Sequence, residues 1–285
     1  MKILVLGKCG QLGSEFQKIS LNYNFNWFFS DFDEVNFYDL TLTKRHLDKI
    51  RPNFLINCCA FTNVDQAEEK ETNANKLNND LVKLLAKWTK KNDSKLIHIS
   101  TDYIFGDNYI KPIKENSKAN PLNVYGKTKL LGEISCKLHN SQSIILRTSW
   151  LFSSYGNNFL KKIIEYSNQN KPIKVVNDQF GTPTYALDLA EAIMIIICNN
   201  EWKPGIYNFT NGKCISWFEF AVNIVEAIGA KNDVLPISSD QISYKAKRPK
   251  YSALDINKIK KTYKMKIPLY LESLTKCIKL LKYVK

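Results

Sequence analysis

Five residues at the start of the chain, Lys2-Ile3-Leu4-Val5-Leu6, restrict its fold more than any other stretch. They form a short apolar, β-branched run, and Gly7-Lys8-Cys9-Gly10-Gln11-Leu12-Gly13 follows at once, ahead of a helical stretch near Ser14 to Ile19. The expectation is a buried strand, a glycine turn and a helix N-terminus. Glycines at such a junction permit a tight turn and let backbone N–H groups and the helix dipole approach a pyrophosphate. The spacing Gly-x-x-Gly-x-x-Gly departs from the Gly-x-Gly-x-x-Gly of many dinucleotide folds, and a glycine turn that binds nothing has the same letters.

The rhythm then repeats. Strands are predicted at Phe25 to Ser30, Phe54 to Cys58, Lys95 to Ser100 and Ser143 to Arg147, with helices at Lys44 to Ile50 and Thr72 to Lys91 between them. Alternation of this kind implies a parallel, doubly wound sheet, which binds ligands at the carboxyl ends of its strands. Asp31 stands at one such end, placed either to accept from a ribose 2′-hydroxyl or to serve as an ordinary loop aspartate. The small residues Cys59 and Ala60 end another, Ser100 and Thr101 a third, and Trp150 follows a fourth, as core or as pocket wall. Further helices are predicted at Phe159 to Ser167, Leu187 to Cys198, Ser216 to Ile228 and Leu269 to Lys282, with short strands at Ile173 to Val176 and Gly205 to Phe209.

Within Pro121-Leu122-Asn123-Val124-Tyr125-Gly126-Lys127-Thr128-Lys129, a helix opened by Pro121 and Asn123 stacks Tyr125 and Lys129 on one face, one turn apart. A phenol of reference pKa about 10 is a poor acid or base near neutrality, and a nearby ammonium lowers that value. With 14 Tyr and 37 Lys in 285 residues, Tyr-x-x-x-Lys arises by chance roughly twice. It occurs once, and its setting gives it weight.

The net charge of +14 raises the question of a nucleic-acid partner. Arg, the residue suited to base and phosphate forks, is present only four times among 41 basic residues, so a lysine-rich solvated surface or an anionic small-molecule substrate accounts for the charge. Seven scattered cysteines without Cys-x-x-Cys read as free thiols, and His46, His98 and His139 lack ligand spacing. No apolar run is long enough for a membrane span, and Met1-Lys2 leads straight into a strand without signal-peptide anatomy. A cytoplasmic enzyme with neither a nucleic-acid nor a membrane partner is expected.

Taken together, Gly7-x-x-Gly10-Gln11-Leu12-Gly13, Asn57-Cys58-Cys59-Ala60, Ser100-Thr101-Asp102-Tyr103-Ile104-Phe105, the Tyr125–Lys129 stretch and Arg147-Thr148-Ser149-Trp150 resemble the dTDP-4-dehydrorhamnose reductases, extended short-chain dehydrogenase/reductases. The likeness continues through Asn158-Phe159, Asp178 to Thr184 and Arg248-Pro249. It implies an α/β fold with a Rossmann-type doubly wound parallel sheet and a smaller C-terminal substrate-binding lobe. Residues 1–152 would form the NAD(P)-binding domain, with 171–200 adding to its sheet, and 153–170 with 201–285 the lobe.

The resemblance further implies NADPH or NADH as cofactor, bound by Gly7, Gly10, Gln11, Leu12, Gly13, Asp31, Asp39, Leu40, Cys59, Ala60, Tyr125 and Lys129. Thr101, Tyr125 and Lys129 would be catalytic. Thr101, Asp102, Tyr103, Trp150 and Arg248 would hold a nucleotide-linked sugar whose C4 ketone is reduced. Cys58 and Cys59 replace alanines of the usual family pattern. Some members form a Mg²⁺-bridged dimer through glutamates; Glu15 matches one of these, but Leu187 stands at another, so no metal is expected, while a homodimer is compatible. Two other readings remain. One is an epimerase or dehydratase, although dehydratases resembling this chain carry Asp-Glu after the threonine where Asp102-Tyr103 stands here. The other is the non-catalytic regulatory subunit of methionine adenosyltransferase.

Overall fold

A computed structural model describes residues 1–169 and 171–283. The first half alternates as expected: β1 (Lys2–Leu6), α1 (Gln11–Ile19), β2 (Asn26–Ser30), α2 (Leu40–Ile50), β3 (Phe54–Asn57), α3 (Val64–Glu69), α4 (Glu71–Asn75), α5 (Leu81–Lys91), β4 (Lys95–Thr101), α6 (Val124–His139) and β5 (Ile144–Thr148). There follow β6 (Leu151–Phe152), α7 (Phe159–Ser167), β7 (Ile173–Val176), β8 (Phe180–Gly181), β9 (Thr184–Tyr185) and α8 (Ala186–Ile197). The chain ends with β10 (Gly205–Asn208), β11 (Ile215–Ser216), α9 (Trp217–Ile228), β12 (Val234–Ile237), α10 (Asn257–Tyr263) and α11 (Tyr270–Tyr283).

Six strands pair in parallel in the order β10-β5-β4-β3-β1-β2. Successive side chains of a strand point to opposite faces, so each central strand feeds two cores. Ile3, Val5, Ile56, Ile97 and Leu146 pack with Leu12 and Phe16 of α1 and Leu189 and Ile193 of α8. Leu4, Leu6, Leu55, Leu96 and Ile145 pack on the other face with Leu47 of α2 and Leu81, Leu85 and Trp88 of α5. A separate core of Phe152, Leu160, Ile163, Val175, Phe220, Ile224 and Leu274 builds the lobe.

One expectation needs correction. Residues 171–200 cover the main sheet through α8 but add no strand to it: β7 pairs with β12, and its Ile173 and Val175 face the lobe core. The sixth strand is β10, from the stretch assigned to the lobe, which lies parallel along the free edge of β5 with Ile206 opposite Ile145.

The order reverses between β1 and β3, where an open α/β sheet leaves a crevice at its carboxyl end. α6 is held beside that crevice from behind. A π-helical turn at Lys76–Asp80 joins α4 to α5, and within it Asn78 donates to Thr128 Oγ1 at 3.1 Å and both donates to and accepts from the Phe61 backbone. Gly132 permits this approach, since a Cβ there would lie 2.0 Å from the Asn78 carbonyl oxygen.

Candidate active site

A cavity of about 750 Å³ occupies the crevice. Gly7 begins its floor with φ +85°, and a Cβ there would come within 2.9 Å of the Cys58 and Cys59 backbone. A Cβ on Gly13 would lie 2.1 Å from the Gly7 carbonyl oxygen, so α1 starts pressed against the loop. Gly10 is the N-cap and carries no side chain to satisfy the first-turn amides, which leaves the positive end of a nine-residue helix facing the cavity.

Gln11, Leu12, Asp31, Cys59 and Ala60 join the same lining. The Asp31 carboxylate is oriented by the Cys9 N–H at 2.9 Å and the Phe32 N–H at 2.9 Å. Neighbouring Lys8 is turned away, paired with Asp33 at 2.8 Å and with Glu34. Asp39 and Leu40 do not line the cavity. Asp39 caps α2 by accepting from the Thr41 and Leu42 N–H groups, each at 2.9 Å.

Thr101, Asp102 and Tyr103 emerge from β4, and Tyr125 and Lys129 from α6, into one wall of the cavity. Asn123 starts the helix as expected, its side chain accepting from the Gly126 N–H at 2.8 Å. The Thr101 hydroxyl donates to Asp102 Oδ1 at 3.0 Å. Burial lifts the Asp102 carboxyl to about 6, and its Oδ2 has no hydrogen-bond partner among the described residues.

Lys129 donates to the Ile99 carbonyl at 2.6 Å; burial pulls its pKa down to about 8, with Glu133 opposing that shift. Burial also pushes the Tyr125 phenol up to about 12, the Thr101 hydroxyl countering in part. Lys129 does not lower Tyr125 in this arrangement, its ammonium being directed at the Ile99 carbonyl. The result is a phenol that keeps its proton at neutral pH, the form a proton donor needs.

Opposite stands an aromatic wall. Trp150 adopts φ +47°, and its indole lies over Gly181, where a Cβ would come within 2.4 Å of the ring. Trp217, at the start of α9, stacks on it with centroids 3.5 Å apart and an 8° interplanar angle, and Phe159 packs on Trp217 at 4.5 Å. Sequence reasoning missed Trp217, along with Thr62, Asn157 and Asn158 of the lining. A signal existed in Ser216-x-x-Glu219, which forms a capping box and marks Trp217 as the first residue of a helix.

Arg248 is not in the lining. It forks onto Asp65 at 2.6 and 3.0 Å and lies 3.8 Å from the centre of the Tyr244 ring, bracing the 239–250 segment against α3. Glu15 is buried under the lobe and accepts from Ser153 at 2.6 Å. Among the described residues no group of His, Cys, Asp and Glu is arranged to hold a metal ion, and no helix is long and apolar enough to cross a membrane. All seven cysteines are unpaired.

A sequence profile of the family described as RmlD substrate binding domain matches residues 1–283. The dTDP-4-dehydrorhamnose reductase of Aggregatibacter actinomycetemcomitans is 36% identical over 273 residues, covering 92% of this chain and 93% of that protein.

The chain belongs to the RmlD family.

Its fold agrees with that membership throughout. The crystal structure of a dTDP-4-dehydrorhamnose reductase from Clostridium acetobutylicum superposes with a TM-score of 0.94 at 37% identity, covering 99% of this chain and 100% of that one. The Bacillus anthracis dTDP-4-dehydrorhamnose reductase, solved in complex with NADP, superposes with a TM-score of 0.94 at 32% identity, covering 98% of this chain and 99% of that one.

Proposed function

We propose that the protein is a cytoplasmic reductase that converts the C4 ketone of a dTDP-linked 4-keto-6-deoxyhexose to the alcohol, taking dTDP-4-dehydro-L-rhamnose to dTDP-L-rhamnose for polysaccharide synthesis. One observation carries this: the partly buried Tyr125 lines one cavity together with Thr101, Lys129 and the Gly7–Gly13 loop at the N-terminus of α1.

The cavity suits NADH or NADPH, since the glycines let β1, α1 and β3 close up behind the loop and α1 presents its uncapped N-terminus to the cavity. When bound, the reduced nicotinamide supplies the hydride. The chain's own residues do the rest. The Gly7–Gly13 loop holds the pyrophosphate, Asp31 accepts from the adenosine ribose, and the Lys129 ammonium holds the nicotinamide ribose. The Thr101 hydroxyl turns its one proton from Asp102 Oδ1 to the ketone oxygen, as in an oxyanion site, and Tyr125 Oη gives its proton to that oxygen as charge develops. The Trp150–Trp217 wall excludes water and faces the sugar.

Dehydration is disfavoured by the same geometry. Tyr103 stands where a C5 base would be needed, and burial raises its pKa, so it remains a neutral phenol at neutral pH. Tyr125→Phe removes only the donated proton. We expect turnover to fall by ~10²-fold or more while the dissociation constant for the dinucleotide, read by tryptophan fluorescence, stays within about threefold. Unchanged turnover would remove Tyr125 from the mechanism. Light scattering on the purified protein distinguishes the homodimer compatible with this family from a monomer.

A further inference from the structure

Behind the catalytic wall lies a buried ion pair that proton and hydride transfer do not use. Glu133 stands on α6, one turn beyond Lys129. Its Oε1 accepts from Ser100 Oγ at 2.5 Å and from Arg147 Nε at 2.9 Å, and its Oε2 accepts from Arg147 Nη2 at 2.7 Å. Both side chains are almost wholly enclosed, at 5% exposure for Arg147 and 3% for Glu133. Arg147 Nη1 donates onward to the Glu115 carbonyl at 2.9 Å, and the guanidinium lies 5.2 Å from the centre of the Phe105 ring.

The three partners belong to three different elements. Ser100 is the residue before Thr101 on β4, Glu133 shares α6 with Tyr125 and Lys129, and Arg147 lies on β5, three residues before Trp150. One carboxylate therefore ties together the segments that carry the proton donor, the oxyanion donor and the aromatic wall. Thermodynamic stability is a poor reason for such a pair. Desolvating two charges cancels much of their attraction, and apolar residues of similar volume often replace a buried pair without loss. Directional bonds from a charged pair do what apolar packing cannot, since they specify a single relative placement of the elements they join. A shift of about 1 Å between reacting groups can lower a rate by ~10²-fold.

We propose that Glu133, bonded to Arg147 and Ser100, is a positioning residue that fixes Thr101 on β4 relative to Tyr125 and Lys129 on α6. The proposal rests on the reductase reading. Its consequence is specific: loss of the hub lowers kcat, because the reacting groups drift, while sugar KM and dinucleotide affinity change little.

The test uses two variants of the full chain. In the double variant Glu133→Leu with Arg147→Met, neither charge is left unpaired, and the fold is expected to persist with a cooperative thermal transition. In Ser100→Ala one bond to the carboxylate is lost and no charge is exposed. We expect kcat with the 4-keto sugar to fall at least tenfold in the double variant and about threefold in Ser100→Ala. In both, assayed at about pH 6 so that Lys129 keeps its charge without the support of Glu133, KM and the dinucleotide dissociation constant should stay within about threefold of wild type. A folded Ser100→Ala or double variant with wild-type kcat overturns the proposal, and so does a loss confined to KM. If the double variant does not fold, Ser100→Ala alone decides between these outcomes. A wild-type protein inactive on every 4-keto sugar would instead count against the reductase reading.

Discussion

The floor and the outer wall of the cavity are built by different physics. The floor is backbone: glycines whose missing Cβ atoms let β1, α1 and β3 meet, a helix N-terminus, and parallel strands whose ends deliver Thr101 and Cys59. The wall is side chain: Trp150 in a left-handed backbone conformation, pinned between Trp217 and Gly181, with the 239–250 segment braced by Arg248 on Asp65. Backbone geometry admits no substitution and suits a ligand part common to a whole superfamily. Side-chain stacking is adjustable and suits the part that differs. The floor should therefore govern whether chemistry occurs, and the wall which sugar receives it.

Lys129→Met, on the catalytic wall that meets this floor, is the severest challenge to the side of the cavity that should govern chemistry. We expect kcat/KM to drop by roughly 10²-fold or more and dinucleotide binding to weaken, because the buried ammonium proposed to hold the nicotinamide ribose is lost. A variant that binds the dinucleotide as tightly as wild type would contradict the assigned contact. The same lysine sets a pH limit. Burial lowers its pKa to about 8, against the partial opposition of Glu133, Cys59 and Cys58, so activity should decline as pH rises through about 8. Stability should move the other way. Between about 8 and the ordinary lysine value the unfolded chain binds the proton and the folded chain does not, so this group's contribution rises with pH. A pH–rate profile alongside thermal melts separates the two effects, and a rate flat to pH 9.5 would show that the charge on Lys129 is not needed.

The wall should respond differently. Replacing Trp217 with Leu removes a stack worth about 0.5–1.5 kcal/mol, so KM for the sugar should rise roughly three- to tenfold while kcat changes by less than about threefold. A comparable loss in kcat would erase the distinction between floor and wall.

The smallest effect concerns cofactor choice. Asp31 lines the cavity and, in its proposed role at the adenosine ribose, would repel a 2′-phosphate, while Lys8 of the glycine loop is engaged by Asp33 and Glu34. Exposed charges a few ångströms apart interact by ~1 kcal/mol in water, so a preference for NADH of about fivefold is expected, with NADPH still used. A hundredfold preference for NADPH in steady-state comparison would mean that Asp31 does not meet the ribose.

The same division explains what could be read from the letters. The strands of the sheet were legible because parallel strands covered on both faces are continuous apolar runs, as at Ile3 to Leu6 and Ile144 to Leu146. β10 was legible as a strand but not as part of this sheet, since four residues, Gly205–Asn208, carry no period that distinguishes a sheet edge from the lobe. Within the site, the glycines, Thr101, Tyr125, Lys129 and Trp150 reach the cavity as expected. Asp39 spends its carboxylate on a helix cap, a local competition invisible in a motif. Arg248 meets Asp65 across 183 positions, and Trp150 meets Trp217 across 67, and neither pairing leaves a trace in spacing. The upward direction of the Tyr125 pKa comes from burial, a property of the folded whole that residue spacing does not carry.

Reduction, the central claim, is tested most directly by stoichiometry. The protein is mixed with NADH and dTDP-4-dehydro-L-rhamnose, and loss of the reduced-nicotinamide absorbance is counted against the 4-hydroxy product. The account predicts one NADH consumed for each dTDP-L-rhamnose formed, and none consumed with dTDP-glucose. Conversion of dTDP-glucose to its 4-keto-6-deoxy product without net loss of NADH would contradict it.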